Sequence, residues 1–208
     1  MVRVSKAPDV RRREIVDAAL ELFATKGYAS TTVNDILDAV GIAKGTFYHH
    51  FTSKEEVMRG VVQQIVDQGI ERAEAIATDE SIPAPDRFLA ILGSQQLEGD
   101  AASVVNALHE AGNVEFHLLS NIGLVTHLTP IIARVIRQGI DEGVFDVDHP
   151  EEAVSILLTA AFFLTDEGFE GYTPDLDRLM PALLIAAERL FGAAQGTFLD
   201  RAAQLEGN

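Results

Sequence analysis

The feature that most constrains this chain is a twenty-residue stretch, Thr32 to Phe51, holding two short helical patterns with only Gly41-Ile42-Ala43 between them. Thr32-Val33-Asn34-Asp35 resembles a capping box with Asp in place of Glu. Behind it, Val33, Ile36, Leu37 and Val40 recur at helical spacing up to Gly41. A second helix, about Lys44 to His50, follows at once. Two short helices joined by a three- or four-residue turn containing glycine form a helix-turn-helix. Phe47 and Phe51 are four apart and share the face that packs inward, with Ile42. Lys44, Gly45, Tyr48 and His49 then share the outward face. Gly45 and Thr46 are small enough to let backbone come close to a partner, and Tyr48 and His49 offer hydrogen bonds to phosphate or base edges.

The rest of the chain also reads as helical, about nine helices in an all-α fold with no sustained period-2 alternation. The first runs from about Asp9 to Lys26, with Ile15, Ala18, Ala19, Leu20, Leu22 and Phe23 apolar and Gly27 as its stop. Ser53-Lys54-Glu55-Glu56 is a Ser-x-x-Glu capping box that opens a long helix. Lys54 in its first turn offers charge to a phosphate. Ile82-Pro83-Ala84-Pro85 ends that helix and starts another, to about Leu97. Further helices are expected at about Ala101–Leu119, up to Gly143 with a restart at Pro130, and from Asp148-His149-Pro150 to about Gly168. The last is expected from Thr173-Pro174 to about Gly196, with Pro181 kinking it or delaying its start. Residues 1–52 are read as a small head and residues 53–208 as a larger body.

Charge supports this division. The 208 residues carry a formal −16, yet residues 1–60 hold 9 Lys+Arg and 8 Asp+Glu, against 7 and 24 in the remainder. Five basic residues, including Arg11-Arg12-Arg13, stand within the first 13 against one acid. An acidic body repels nucleic acid, so only the head is suited to touch it. There is no cysteine, which excludes disulfides and thiol chemistry. The longest near-apolar run, Ile156 to Leu164, is nine residues with one threonine, where a membrane span needs about 20. The basic N-terminus has no apolar run behind it, so no signal peptide is expected and the location is read as cytoplasmic.

Thr31-Thr32-Val33-Asn34-Asp35-Ile36, Gly41 through Phe51 and Ser53-Lys54-Glu55-Glu56 resemble the signature of the TetR/AcrR family of bacterial regulators. Ala18-Ala19-Leu20-Glu21-Leu22-Phe23 and Lys26-Gly27-Tyr28 are similar to it too, so that the match runs nearly unbroken from about Arg12 to Val57. The resemblance implies a homodimeric repressor on near-palindromic double-stranded DNA, released by a small molecule. Arg12, Thr32, Val33, Lys44, Gly45, Thr46, Tyr48, His49 and Lys54 are the candidate DNA contacts. One departure is Ala43, where the family often has a capping Ser; a lost cap is worth about 1 kcal/mol.

In such proteins the last two helices carry the dimer. Here Val154, Ile156, Leu157, Ala160, Ala161 and Leu164, then Leu176, Leu179, Met180, Leu183, Leu184, Ala187, Leu190, Phe191 and Ala194, form faces wide enough for a core and a partner. Polar and aromatic residues among the central helices, His109, Asn113, Phe116, His117, His127, Phe162, Phe163 and Asp166, are the candidate effector contacts. Taken singly, each also fits an exposed or internally satisfied position. His109 and His117 are eight apart, about 12 Å of helix rise, too far to share one metal ion. No Gly-rich phosphate loop, Gly-x-Ser-x-Gly elbow or His-Glu-x-x-His is present, so neither an enzyme nor a cofactor is expected. An alternative of the same fold is a DNA-bound adaptor that recruits a protein partner and senses no small molecule.

Overall fold

The computed structural model describes residues 8–95, 114–165, 173 and 175–206. Among them are nine helices and no strand: α1 (Pro8–Lys26), α2 (Val33–Val40), α3 (Lys44–His50), α4 (Lys54–Ala77), α5 (Ala84–Gly93), α6 (Val114–Asp141), α7 (Pro150–Thr165), α8 (Leu176–Leu190) and α9 (Leu199–Glu206). No described helix is long and apolar enough to cross a membrane. The chain divides into two compact units. Of the described residues, one unit holds 8–65 and 114–116, and the other holds 66–95, 117–165, 173 and 175–206.

The core of the first unit is built from one stripe of each of four helices. Ile15, Val16, Ala19 and Phe23 of α1 meet Ile36 and Leu37 of α2, Phe47 of α3, Phe51, and Val57, Met58, Val61 and Ile65 of α4. The i, i+4 spacing seen in the sequence becomes this buried face. In the second unit, Phe88, Leu89 and Ile91 of α5 pack with Leu128, Ile131, Ile132, Val135 and Ile136 of α6 and Ala153, Val154, Leu157 and Leu158 of α7. Phe88, Phe145, Phe191 and Phe198 form an aromatic cluster, with ring centroids 4.7 Å apart for Phe88–Phe198 and 5.4 Å for Phe88–Phe191. The tilted and edge-on arrangements suit the ring quadrupoles.

Arg87 is buried inside this second core. Its Nη1 donates to the Ala77 carbonyl at 2.8 Å, which caps the C-terminus of α4, and its Nη2 donates to Gln138. A cation there satisfies a carbonyl that has no partner within the helix and complements the helix dipole.

Three expectations are corrected. No break falls after Leu119 and no restart at Pro130, because α6 runs unbroken from Val114 to Asp141. Pro130 and Thr126 both lie on the exposed side, where water can serve the Thr126 carbonyl that proline leaves without an N–H. Next, α8 begins at Leu176, capped by Asp175, and passes through Pro181. It ends at Leu190 rather than near Gly196. Gly192 has φ +63°, and any Cβ there would lie 2.2 Å from the Asp146 carbonyl oxygen, so the chain turns out of the helix at a position only glycine can fill. Finally, α9 was not expected. Buried Glu188 organises its start by accepting the N–H groups of Gly196 at 3.1 Å, Phe198 at 2.9 Å and Leu199 at 3.2 Å. Burial alone would raise the pKa of this carboxyl, but the three backbone donors hold it below its ordinary value.

Candidate DNA-binding interface

The helix-turn-helix is fixed at each joint by short-range chemistry. Thr32 takes extended backbone and its hydroxyl accepts the Asp35 N–H at 3.2 Å, while one Asp35 carboxylate oxygen accepts the Thr32 N–H at 2.7 Å, completing the capping box. That same oxygen accepts the Thr32 hydroxyl and the Lys26 ammonium, each at 2.7 Å. The Lys26 and Thr32 hydrogen bonds hold the Asp35 carboxyl far below the usual range. Gly41 ends α2 at φ 70°, ψ 39°, and its N–H and that of Ile42 both bond to the Leu37 carbonyl. Left-handed geometry of this kind is open to glycine at no steric cost. Ala43 precedes α3 and gives it no side-chain cap, as expected from the sequence.

The outward face of α3 emerges as the spacing predicts. Phe47 and Phe51 are buried, while Lys44, Gly45, Tyr48 and His49 are exposed and Thr46 is half-buried. Tyr48 stands 48 % exposed, its ring edge-on to Phe47 at 5.3 Å. The Lys44 ammonium lies 5.8 Å from the centre of the Tyr48 ring. A cation, two hydrogen-bonding rings and a side chain of zero size thus share one unencumbered surface.

Arg12 is held against the far end of α3. Its Nη1 donates to the His50 carbonyl at 2.9 Å, and its guanidinium carbon stands 4.1 Å over the Phe51 ring. The hydrogen bond links residues 38 apart, and no local sequence signal could have shown either contact. Arg11 pairs with Glu14 at 2.6 Å. Partial burial, helped by the His49, Arg12 and Arg11 charges, pushes the His50 imidazole below its ordinary pKa.

At the start of α4, Ser53 accepts the Glu56 N–H at 3.2 Å, which is half of the expected box. Glu56 reaches one residue further back than expected, taking the Thr52 N–H at 2.6 Å and hydroxyl at 2.7 Å. The Lys54 ammonium is turned inward. It donates to the Tyr28 carbonyl at 2.8 Å and the Thr31 carbonyl at 2.9 Å, 4.2 Å from the centre of the Tyr28 ring. Val33 is half-buried at the first position of α2.

Acid should loosen this unit. Asp35 and His50 both have depressed pKa values in the folded state, so the unfolded chain binds protons more readily than the folded one. Their contributions are complete above the unfolded values and fade as pH falls, first through about 6.5 for His50 and then below about 4 for Asp35. Thermal melts between pH 8 and pH 3 are expected to show a monotonic loss in two stages. The upper stage should vanish in His50→Gln.

The effector candidates are not drawn together by the described residues. His127 is exposed on α6. Phe162 packs on the second core, whereas its neighbour Phe163 is 51 % exposed. Phe163 lines a shallow groove of about 500 Å³ with Ser155, Ile156, Thr159, Ala160 and Leu164, all on α7. His109, Asn113 and Asp166 lie outside the described residues, as do the side chains of Phe116 and His117, although the backbone of the last two belongs to α6. No group of three or more His, Asp or Glu able to hold a metal ion occurs among the described residues.

Comparison with known proteins matches this architecture. Residues 15–61 match the domain described as bacterial regulatory proteins, tetR family, and residues 99–178 match a tetracyclin repressor-like C-terminal domain. The chain is 34 % identical over 154 residues to the HTH-type transcriptional repressor KstR2 of Rhodococcus jostii, covering 66 % of this chain and 69 % of that protein. It is 29 % identical over 190 residues to the HTH-type transcriptional regulator TcmR of Streptomyces glaucescens, covering 86 % and 82 %. A TetR-family regulator from Mesorhizobium loti has the same fold, with a TM-score of 0.63 over 90 % of this chain and 98 % of that one at 19 % identity. The capped helix-turn-helix, the helical second unit and these likenesses together establish that the chain belongs to the TetR family and is a DNA-binding transcriptional regulator, not an enzyme.

Proposed function

We propose that this regulator is a repressor that holds a near-palindromic operator as a homodimer and is released when a small molecule enters its helical body. The outward face of α3 carries the reading. Lys44 and His49 suit phosphate and base acceptors, Tyr48 adds a hydroxyl, and Gly45 lets the helix backbone approach. Arg12, Thr32, Val33 and Thr46 flank that face as secondary contacts.

The dimer reading rests on unburied apolar surface. Ile156, Phe163 and Leu164 of α7 and Leu176, Met180 and Ile185 of α8 are each more than a third exposed. Large apolar residues repeated along two helices mark an association surface, and the groove around Phe163 is part of it. Ile156→Glu with Met180→Glu is expected to give a folded monomer by analytical ultracentrifugation. A dimer that persists unchanged places the interface elsewhere. The monomer should also lose operator affinity by far more than tenfold, because the second head then binds without the gain in effective concentration that the first provides.

For release, α4 is the element that matters. It supplies Val57, Met58, Val61 and Ile65 to one core and Ala73 and Ala77 to the other. A ligand in the body that shifts α4 can alter the separation of two heads that must meet half-sites about 34 Å apart. His109, Asn113, Phe116, His117, His127, Phe162, Phe163 and Asp166 remain the candidates for ligand contact. A screen of small apolar acids and amphipathic compounds against operator-bound protein tests this. Release by one class supports it, while retention against all of them, with a protein partner captured on the operator complex, favours the adaptor.

A further inference from the structure

We infer that Lys54 acts as a positioning residue, clasping the α1–α2 turn so that the helix-turn-helix is held in its DNA-reading arrangement, instead of contacting a phosphate itself. The inference rests on the reading of α3 as the recognition helix. Lys54 is the first residue of α4, where the helix dipole favours acids and disfavours a cation. Glu55 and Glu56 obey that preference and Lys54 opposes it. The geometry supplies the compensation. The ammonium donates to the carbonyls of Tyr28 and Thr31 and lies over the Tyr28 ring, so two of its three protons and one face of its charge are engaged within the protein.

What is clasped matters for function. Thr31 is buried, its hydroxyl donates to the Gly27 carbonyl at 2.8 Å, and it directly precedes Thr32, the cap of α2. The carbonyl held by Lys54 is therefore the last one before the helix-turn-helix begins. On the other side of that cap, Lys26 holds Asp35. With both lysines in place, the start of α2 is pinned to the end of α1 and to the start of α4. Without Lys54 the polar tie between the α1–α2 turn and the start of α4 is lost, and the shared apolar core alone holds α2 and α3 against α4.

A positioning role and a phosphate contact predict different salt dependence. Lowering the fraction of chains in the competent arrangement divides the affinity by one factor at every salt concentration. Deleting one phosphate contact per protomer instead flattens the slope of log K against log salt by about 1.8 for a dimer. The test is operator titration from 50 to 300 mM salt with wild type, Lys54→Met, which keeps the aliphatic stem, and Lys54→Gln, which can still donate to one carbonyl. Lys44→Ala serves as the interface control. The expected result is a loss of about tenfold for Lys54→Met and a smaller one for Lys54→Gln, with slopes parallel to wild type. A slope shallower by about 1.8, or unchanged affinity, overturns the inference. If Lys54→Met does not fold, the parallel or flattened slope of Lys54→Gln decides it. Normal binding by Lys44→Ala would instead count against α3 as the reading helix, which separates that failure from failure of the clasp.

Discussion

A chain carrying Lys44→Ala and Tyr48→Ala is expected to bind its operator about a thousandfold more weakly while remaining a folded dimer. Each lost contact at a groove or phosphate is worth about 1 kcal/mol at the low end, and both occur in each protomer, so the total is about 4 kcal/mol. Both side chains are exposed on α3, and exposed substitutions generally change stability little. Tyr48 does touch Phe47 edge-on, so part of its ring packs within the head. Tyr48→Phe keeps that packing and removes only the hydroxyl. If Tyr48→Phe binds as wild type and Tyr48→Ala does not, the ring rather than the hydroxyl carries the contact. Calorimetry beside the titration distinguishes lost recognition from lost folding.

The second large effect is expected in the other unit. Glu188→Ala should destabilise the second unit by about 3 kcal/mol, because three backbone N–H groups lose their acceptor in a buried place. In a chain of this size that lowers the melting temperature by roughly 6–12 °C. Phe198 belongs to both the turn that Glu188 holds and the aromatic cluster with Phe88, Phe145 and Phe191, so amide exchange should rise first across α9 and that cluster. Glu188→Gln should fall between. Oε1 serves Phe198 and Leu199, whereas Oε2 serves Gly196, so one amide orientation keeps the first pair and loses the last. Equal stability of all three chains would mean that water replaces the carboxylate without loss.

The contrast between the two sites shows what the sequence makes legible. In the head, each device is local: Thr32 with Asp35, Gly41 after Val40, Phe47 with Phe51. Spacings of three and four residues in the chain become contacts in space, so the helix-turn-helix itself is legible in the sequence. The devices that escape such reading are those in which a polar side chain reaches a distant backbone carbonyl or N–H. Arg12 meets the His50 carbonyl across 38 residues, Lys54 the Tyr28 carbonyl across 26 and Arg87 the Ala77 carbonyl across 10. Glu188 looked like one acid among many in an acidic body, and nothing in its neighbours marked it as buried. Lys54 alone left a trace, since a cation at the first position of a helix works against the dipole and calls for a partner. Pro130 misled for the opposite reason: a strong local signal for a break was overridden by packing of α6 on both sides of it.

Selection of operator DNA from a random duplex pool tests the central claim most directly. The protein should first be unfolded and refolded, to strip any bound small molecule, and shown to be dimeric. The account predicts enrichment of a near-palindrome whose half-sites are centred a whole number of helical turns apart, about 34 Å for each turn, with enrichment lost when Lys44 and Tyr48 are replaced. No enrichment by the folded dimer at low salt, or a motif that survives both replacements, would contradict it.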